Sequence, residues 1–404
     1  MKEMKNRIFG NELKYVQEVL ETEFRSSKGA SMMRRLEESF ASKFGAKYAI
    51  SFVNGTATMH AALEAYGVGP GDEVIVPPLT MAATSFCVLQ TGATPVFADV
   101  DEKTFQICPQ SIKDKITEKT KAIITVGLFG LSPDMDPIMD LAIKNNLKVI
   151  EDNAECYLGY YKDKIAGTIG HSASFSFQSS KHLTSGEGGM LITDDVDFAN
   201  KVRKVQSLGY AGVSAAKGKI TKLDIQDPLY DRHEIMGWNY RMPELCCAVA
   251  LAQVENIDQL VTQRQRVAKI FQEITIKYHD WFTPQHVPEN CINSYWTWVC
   301  RLNTKKVSWH NFRDKFLEYG GDGIYAAWKL TYLEPMFTNL DLLGRESLIS
   351  DKNKQFYKEG LCPTAEKIQK ELLCFKTNYW DINDANRQAD ILVKTLEYFD
   401  SRID

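Results

Sequence analysis

The stretch SASFSFQSSKHLTSGEGGMLITDD, Ser172 to Asp195, places Lys181 between a Ser-rich turn and a Gly-rich one, with the strand pattern GGMLITDD following at once. The amine is therefore held in a structured turn and not on an ordinary exposed helix face. A random Lys is a solvated surface charge. One fixed in a turn, with its pKa lowered by burial or by a nearby cation, can act as a nucleophile that forms a Schiff base.

Upstream lies KVIEDNAECYLG, Lys148 to Gly159, in which an apolar strand ends in Glu151 and Asp152. A carboxylate at a buried strand end is costly unless it meets a partner, and a protonated pyridine nitrogen is one such partner. Asp152 is the candidate; a carboxylate that caps the following helix or takes up loop amides is the bland alternative. Further upstream, in SFVNGTATMHAALEAYG (Ser51 to Gly67), Met59, Ala62, Leu63 and Tyr66 share one helical face. The spacing predicts a helix from near Thr56 that stops at Gly67. Its Gly-Thr-Ala start, directly after a strand, offers free amides and a positive dipole end to a phosphate. A capped strand-to-helix turn with no ligand reads the same way.

Working outward, strand-like runs alternate with helical ones: YAISFV (Tyr48 to Val53), EVIVP (Glu73 to Pro77), TPVFADV (Thr94 to Val100), KAIITVGLFG (Lys121 to Gly130) and KVIED. This is the pattern of an α/β domain whose sheet is mostly parallel and flanked by helices. Ligands in such sheets bind at the carboxyl ends of the strands. After Met242 a long helical stretch, PELCCAVALAQVENIDQLVTQRQRVAKIFQEI, leads out of this domain. A smaller unit follows, with PQHVPEN (Pro284 to Asn290), the aromatic strand SYWTWVCRL (Ser294 to Leu302) and the helical NDANRQADILVKTLEYF. The expected division is a large domain over 1–265, with an N-terminal helical arm, and a small one over 266–404.

Composition agrees with two packed units. The chain has 404 residues, 44% of them hydrophobic and 25% charged, enough apolar material for a core and too much for disorder. Lys plus Arg is 48 against Asp plus Glu 52, a net charge of −4, which argues against a nucleic-acid binder. The longest apolar runs are strand-length, so no membrane span is expected. The first twenty residues are charged throughout, unlike a secretory signal, and a cytoplasmic location is expected. Nine cysteines form no CxxC pair and show no metal-ligand spacing, so buried free thiols and no metal are expected.

A Lys that forms an imine, an Asp for a pyridinium nitrogen and a phosphate cradle are together the demands of pyridoxal 5′-phosphate, PLP. On the motifs SFVNGTATMHAAL, GDEVIVPPLTMAATSF, PVFADVD, GLFGLSPDMD, IEDNAECYLG, SFSFQSSKHLTSGEGGM and GWNYRMPELCCAVALAQ, the chain resembles the DegT/DnrJ/StrS sugar aminotransferases. These are PLP enzymes of the aspartate aminotransferase fold, fold type I. The resemblance runs from about Phe24 to Gln253 and thinly beyond, and it implies a large PLP-binding domain followed by a smaller C-terminal α+β domain.

By that resemblance Lys181 would bind the cofactor covalently and Asp152 would face its ring nitrogen. Gly55, Thr56, Ala57 and Ser176 would hold the phosphate. Asn239, in GWNYRM, would reach the phosphate from a neighbouring subunit, which implies a homodimer with shared active sites. Met81 stands where relatives carry a ring-stacking Phe or Trp. Glu155 stands where they carry Gln or His near the cofactor's 3′ oxygen. Tyr325, in GGDGIYAAWKLTYLEP, lies near the usual substrate-side His, and Arg241 and His182 are further substrate candidates. The implied reaction moves an amino group from an amino acid, L-glutamate by resemblance, to a keto-sugar. The product would be an amino sugar for surface polysaccharide.

An oxidised octulosonate-type sugar acid or a keto-cyclitol is an alternative acceptor. A PLP-dependent sugar dehydratase, which has His where Lys forms the imine, and a non-catalytic protein of the same fold are the competing classes. A nicotinamide dehydrogenase is disfavoured, because GVGPGDE (Gly67 to Glu73) does not fit GxGxxG and precedes a strand.

Overall fold

The computed structural model describes residues 4–25, 31–221, 225–339 and 357–402. Strands run in chain order as β1 (Tyr48–Phe52), β2 (Glu73–Val76), β3 (Thr94–Phe97), β4 (Thr120–Val126), β5 (Lys148–Asp152), β6 (Tyr160–Tyr161), β7 (Lys164–Ile165), β8 (Ser172–Ser176) and β9 (Gly189–Thr193). The later part adds β10 (Phe282–Pro284), β11 (Cys291–Ile292), β12 (Thr297–Leu302), β13 (Ile324–Ala326) and β14 (Leu372–Lys376). The helices around the first sheet are α1 (Asn11–Glu21), α2 (Met32–Phe44), α3 (Gly55–Ala65), α4 (Ala83–Gln90), α5 (Pro109–Lys115), α6 (Met135–Lys144) and α7 (Val196–Gln206). Then come α8 (Glu244–Val254), α9 (Ile257–Thr275), α10 (Trp309–Glu318), α11 (Pro335–Thr338), α12 (Pro363–Gln369) and α13 (Ile382–Asp400).

The seven-stranded sheet has the order β1-β9-β8-β5-β4-β2-β3. Pairing is parallel from β3 through β8, and only β9 runs against its neighbours. The central strands carry apolar residues on both faces, Ile123 and Ile124 in β4 and Val149 and Ile150 in β5, because helices cover both sides. Parallel pairing brings the carboxyl ends of β4, β5 and β8 to one edge, so Val126, Asp152 and Ser174 lie in adjacent register. The second sheet, β10-β12-β14-β13, is antiparallel.

The helical run after Met242 is not continuous. It divides at Glu255 and Asn256, although no Gly or Pro marks the place. Glu255 accepts hydrogen bonds from Tyr15 Oη at 2.7 Å and Asn11 Nδ2 at 2.9 Å, which ties the break to α1. Helix α9 then bridges two cores. Ile257, Leu260 and Val261 pack with α8 and Phe40, whereas Val267, Ala268 and Phe271 pack with Trp298, Phe375 and Leu392. Gln265 lies between the two sets.

One buried ion pair anchors α2 to α7 behind the sheet. Arg203 donates to both oxygens of Glu37, at 3.0 and 2.6 Å, and Glu37 also accepts from the amide and hydroxyl of Ser51 in β1. Removing one partner strands a charge in the core, which costs about 3–5 kcal/mol. Arg203→Met is therefore expected to lower the thermal midpoint markedly, read by circular dichroism melts, while Arg203→Met with Glu37→Met should recover much of the loss.

Candidate active site

Adjacent residues of a strand point to opposite faces, and the end of β5 uses this to separate two carboxylates. Glu151 turns to one side, where it accepts from the amides of Gly167, Ile169 and Gly170 at 2.6–2.8 Å. It is the carboxylate spent on loop amides. Asp152 turns to the other, where it accepts from Thr84 Oγ1 at 2.9 Å and the Ala154 amide at 3.2 Å. Both partners of Asp152 are neutral. Burial raises its carboxyl above the ordinary range, opposed by those two hydrogen bonds and by the charge of Lys181.

Lys181 lies in the turn after β8. Its Nζ is 3.2 Å from Glu155 Oε1 and 4.4 Å from the centre of the Trp296 ring, and its side chain is only 12% exposed. Glu155 is itself buried, and its other oxygen accepts from the Phe129 amide at 3.1 Å. Burial pushes the Glu155 carboxyl up, and Lys181 and the Phe129 amide hold it back. Phe129 sits at φ 62, a left-handed backbone that is costly for a residue with a side chain. In that conformation it directs its N–H at Glu155 and its ring onto Trp328. The neighbouring Gly130, at φ 104, cannot be replaced: a Cβ there would fall 2.4 Å from the amide nitrogen of Tyr295.

Two arginines, Arg264 buried and Arg7 half-buried, fix the turn. Arg7 donates to the carbonyls of Ser179, Lys181 and His182, and Arg264 to those of Ser180 and Lys181. Arg264 also binds Trp296 O and Thr377 Oγ1, and burial lowers its pKa to about 9. Trp380 lies within cation–π distance of both guanidiniums.

Beside Lys181 opens a cavity of about 380 Å³, lined by Phe129, Trp296 and Trp328 together with Ser180, Tyr325, Cys374 and Lys376. The three aromatic rings form a near-parallel ladder, with Trp328 5.6 Å from Trp296 and 6.0 Å from Phe129. A larger groove of about 970 Å³ lies elsewhere, around Glu102, Trp281 and His286, and holds none of the sequence-predicted site residues.

At the start of α3, Asn54 caps the helix by accepting from the Ala57 amide at 2.8 Å. The Ala57 amide assigned to phosphate thus already has an acceptor, and the helix begins one residue earlier than expected, at Gly55. Gly55 packs on the end of β8, where a Cβ would stand 3.0 Å from Ser176 Cβ. The close approach puts the first turn of α3, with Thr56, beside Ser176.

The remaining candidates divide. Tyr325 lies on the cavity, 60% exposed. Met81 is 55% exposed in the loop before α4, the helix that carries Thr84. His182, expected near substrate, is instead sealed in the wall: its Nε2 pairs with Ser294 O at 2.9 Å, its ring packs on Tyr157, and burial lowers its pKa well below the usual value. Arg241 pairs through its backbone with Phe52 and does not line the cavity. Asn239 is exposed, between Trp238, whose indole donates to Glu64, and Tyr240, which shares a hydrogen bond with His60. Its two neighbours fasten to α3 and leave it facing outward.

Sequence reasoning did not single out Thr84, Phe129, Trp296, Trp328, Arg7 or Arg264. Thr84, Phe129 and Trp328 lie within segments quoted above without a role of their own, and the aromatic density of SYWTW, which contains Trp296, reads equally well as core. Among the described residues all nine cysteines are unpaired, no cluster of His, Cys, Asp and Glu could hold a metal, and no helix is long and apolar enough to cross a membrane.

Comparison with known proteins gives concordant results. Residues 6–376 match the family profile described as the DegT/DnrJ/EryC1/StrS aminotransferase family. The GDP-perosamine synthase of Caulobacter vibrioides is 39% identical over 299 residues, covering 73% of this chain and 76% of that one. The L-glutamine:2-deoxy-scyllo-inosose aminotransferase of Streptomyces lividus is 36% identical over 276 residues, covering 68% and 63%. Among solved structures, the aminotransferase from Psychrobacter cryohalolentis superposes with a TM-score of 0.85 at 28% identity, covering 98% of each chain.

Proposed function

Because this chain belongs to the DegT/DnrJ/EryC1/StrS aminotransferase family and is a PLP-dependent aminotransferase, we propose that it transfers the amino group of L-glutamate to a keto-sugar. The observation that carries this reading is the convergence of Lys181, Asp152 and Glu155 at the carboxyl ends of β5 and β8, beside a cavity that can admit a sugar ring.

The residues present fit the cofactor. Asp152 is a buried carboxylate whose hydrogen-bond partners are both neutral, so a protonated pyridine nitrogen is the cation its site lacks. The bare Gly55 lets the first turn of α3 approach Ser176 closely enough for Thr56 and Ser176 to hold a phosphate between them. When bound, PLP supplies an aldehyde and a ring that accepts negative charge from the carbon bearing the amino group. Lys181 would hold the cofactor through its amine, and the same nitrogen, when free, would take the proton from the donor's α-carbon. Asp152 keeps the ring nitrogen protonated. Arg7, Arg264 and the Trp296 face keep the amine from swinging away. Met81, at the position where relatives carry a ring-stacking residue, would cover the ring. Asn239, exposed between its two fastened neighbours, would reach the phosphate site of a second copy by resemblance to relatives, in a homodimer with shared sites.

The Phe129–Trp328–Trp296 ladder gives the acceptor's carbon–hydrogen faces an apolar wall, and Tyr325 and Lys376 offer polar contacts at its rim. Trp328→Ala is expected to raise the acceptor's KM by about ten- to a hundredfold, with the glutamate half-reaction little changed. Stopped-flow measurement of the two half-reactions separates these. The reading as a whole is tested by mixing the PLP-loaded protein with L-glutamate, then offering keto-sugars. The spectrum should shift to the pyridoxamine form and return only with an accepted sugar. No shift with glutamate excludes that donor, and a return only with a keto-cyclitol replaces the acceptor named here.

A further inference from the structure

Glu155 has a carboxylate at a position where a neutral amide or an imidazole would suffice to contact a cofactor, and it points at the one amine the reaction uses. Its Oε1 is 3.2 Å from Lys181 Nζ, and both groups are almost fully buried. Its Oε2 is held by the Phe129 amide, so the carboxylate cannot rotate away. The Trp296 ring is 4.4 Å from the same ammonium. An amine can neither attack an aldehyde nor take a proton from carbon while it carries three hydrogens, and this amine has scarce access to water that could remove one.

We propose that Glu155 is the proton partner of Lys181: the two groups share one proton across this contact. When the amine is needed, an N–H bond of Lys181 breaks, an O–H bond forms on Glu155 Oε1, and the pair passes from ammonium and carboxylate to amine and carboxylic acid. No charge leaves the site. The reverse transfer restores the ammonium.

The surroundings suit such an exchange, because burial raises the Glu155 carboxyl and so brings its proton affinity toward that of an amine. The charged and titratable groups that face it are Lys181 from the turn after β8, Asp152 from the end of β5, Arg264 from α9 and the thiol of Cys374 from β14. Asp152 favours the protonated acid, whereas Arg264 favours the carboxylate. Cys374, its own pKa raised by burial, contributes no charge near neutrality.

The inference rests on Lys181 being the residue that binds the cofactor, and the test separates the two claims. Cofactor-free protein is mixed with PLP at a series of pH values, quenched with borohydride, and the mass added at Lys181 is followed with time. A pair sharing one proton keeps a fixed fraction of free amine between its two macroscopic titrations. The wild-type capture rate should therefore change less than about threefold between pH 6.5 and 8.5. In Glu155→Gln, which keeps an oxygen for the Phe129 amide but cannot take the proton, the rate should climb about tenfold or more over the same interval as a lone amine deprotonates. Cofactor titrations are common to both proteins, so the difference in slope reports the pair alone. Should Glu155→Gln not fold, Glu155→Met serves the same comparison. Equal slopes overturn the proton-sharing claim while leaving Lys181 assigned. Absence of an adduct at Lys181 in the wild type overturns both.

Discussion

Lys181→Ala, reconstituted with PLP, is expected to lose amino transfer by at least about 10⁴-fold, because a positioned proton-transfer group alone contributes roughly 10²–10⁴ and this residue is also the one proposed to hold the cofactor. The geometry offers no understudy. The neighbouring His182 has its Nε2 committed to Ser294 O and its ring sealed against Tyr157. Cys374 borders the cavity, but its thiol is held protonated by burial. The variant should also lose the absorption of lysine-bound cofactor and any borohydride-stable adduct. Removing the ammonium leaves Glu155 without its cation, at a cost of about 1–3 kcal/mol, so a melting curve must accompany the assay. Substantial turnover by a folded Lys181→Ala protein would exclude the assignment.

Asp152→Asn is expected to be nearly as damaging. A buried carboxylate facing a protonated ring nitrogen is worth about 3–5 kcal/mol when one partner is removed, which converts to roughly two to four orders of magnitude in rate. Asn keeps the shape and can still accept from Thr84 Oγ1, so the fold should survive. It cannot keep a pyridine nitrogen charged. The expected pattern is a large fall in the rate of proton removal from glutamate with a modest change in cofactor affinity, read by single-turnover absorbance and by equilibrium titration. Glu151→Gln is the control, since Glu151 serves only the loop amides of Gly167, Ile169 and Gly170 and should cost stability more than rate. Equal rates for Asp152→Asn and wild type would remove Asp152 from the site.

What could be read from the sequence follows a physical division. The strands at the sheet centre announced themselves because both faces are buried, and Lys181 and Asp152 because a titratable group at a strand end or in a tight turn has few reasons to be there. The choice between Glu151 and Asp152 had no local signal beyond alternation, and only the loop amides settle which carboxylate is spent. The break after Val254 was hidden because Glu255 acts through Tyr15 and Asn11, some 240 residues away, and not through a helix-breaking residue. Contacts distant in sequence also hid Arg7 and Arg264, whose bonds to the lysine turn span 172 to 175 and 83 to 84 residues. An arginine that holds the turn through backbone carbonyls leaves no partner residue type to look for there. Trp296 and Trp328 were visible as aromatics but indistinguishable from core until a cavity appeared beside them.

The clasp on the lysine turn sets an order of events during synthesis. Arg7 precedes the large sheet in the chain and Trp380, which lies against it, follows both sheets. A growing polypeptide can complete its large sheet early, yet the two guanidiniums and the indole cannot all be in place at Ser179 to His182 until the chain has been made past Trp380. A half-made chain therefore carries the reactive amine without the brace that aims it.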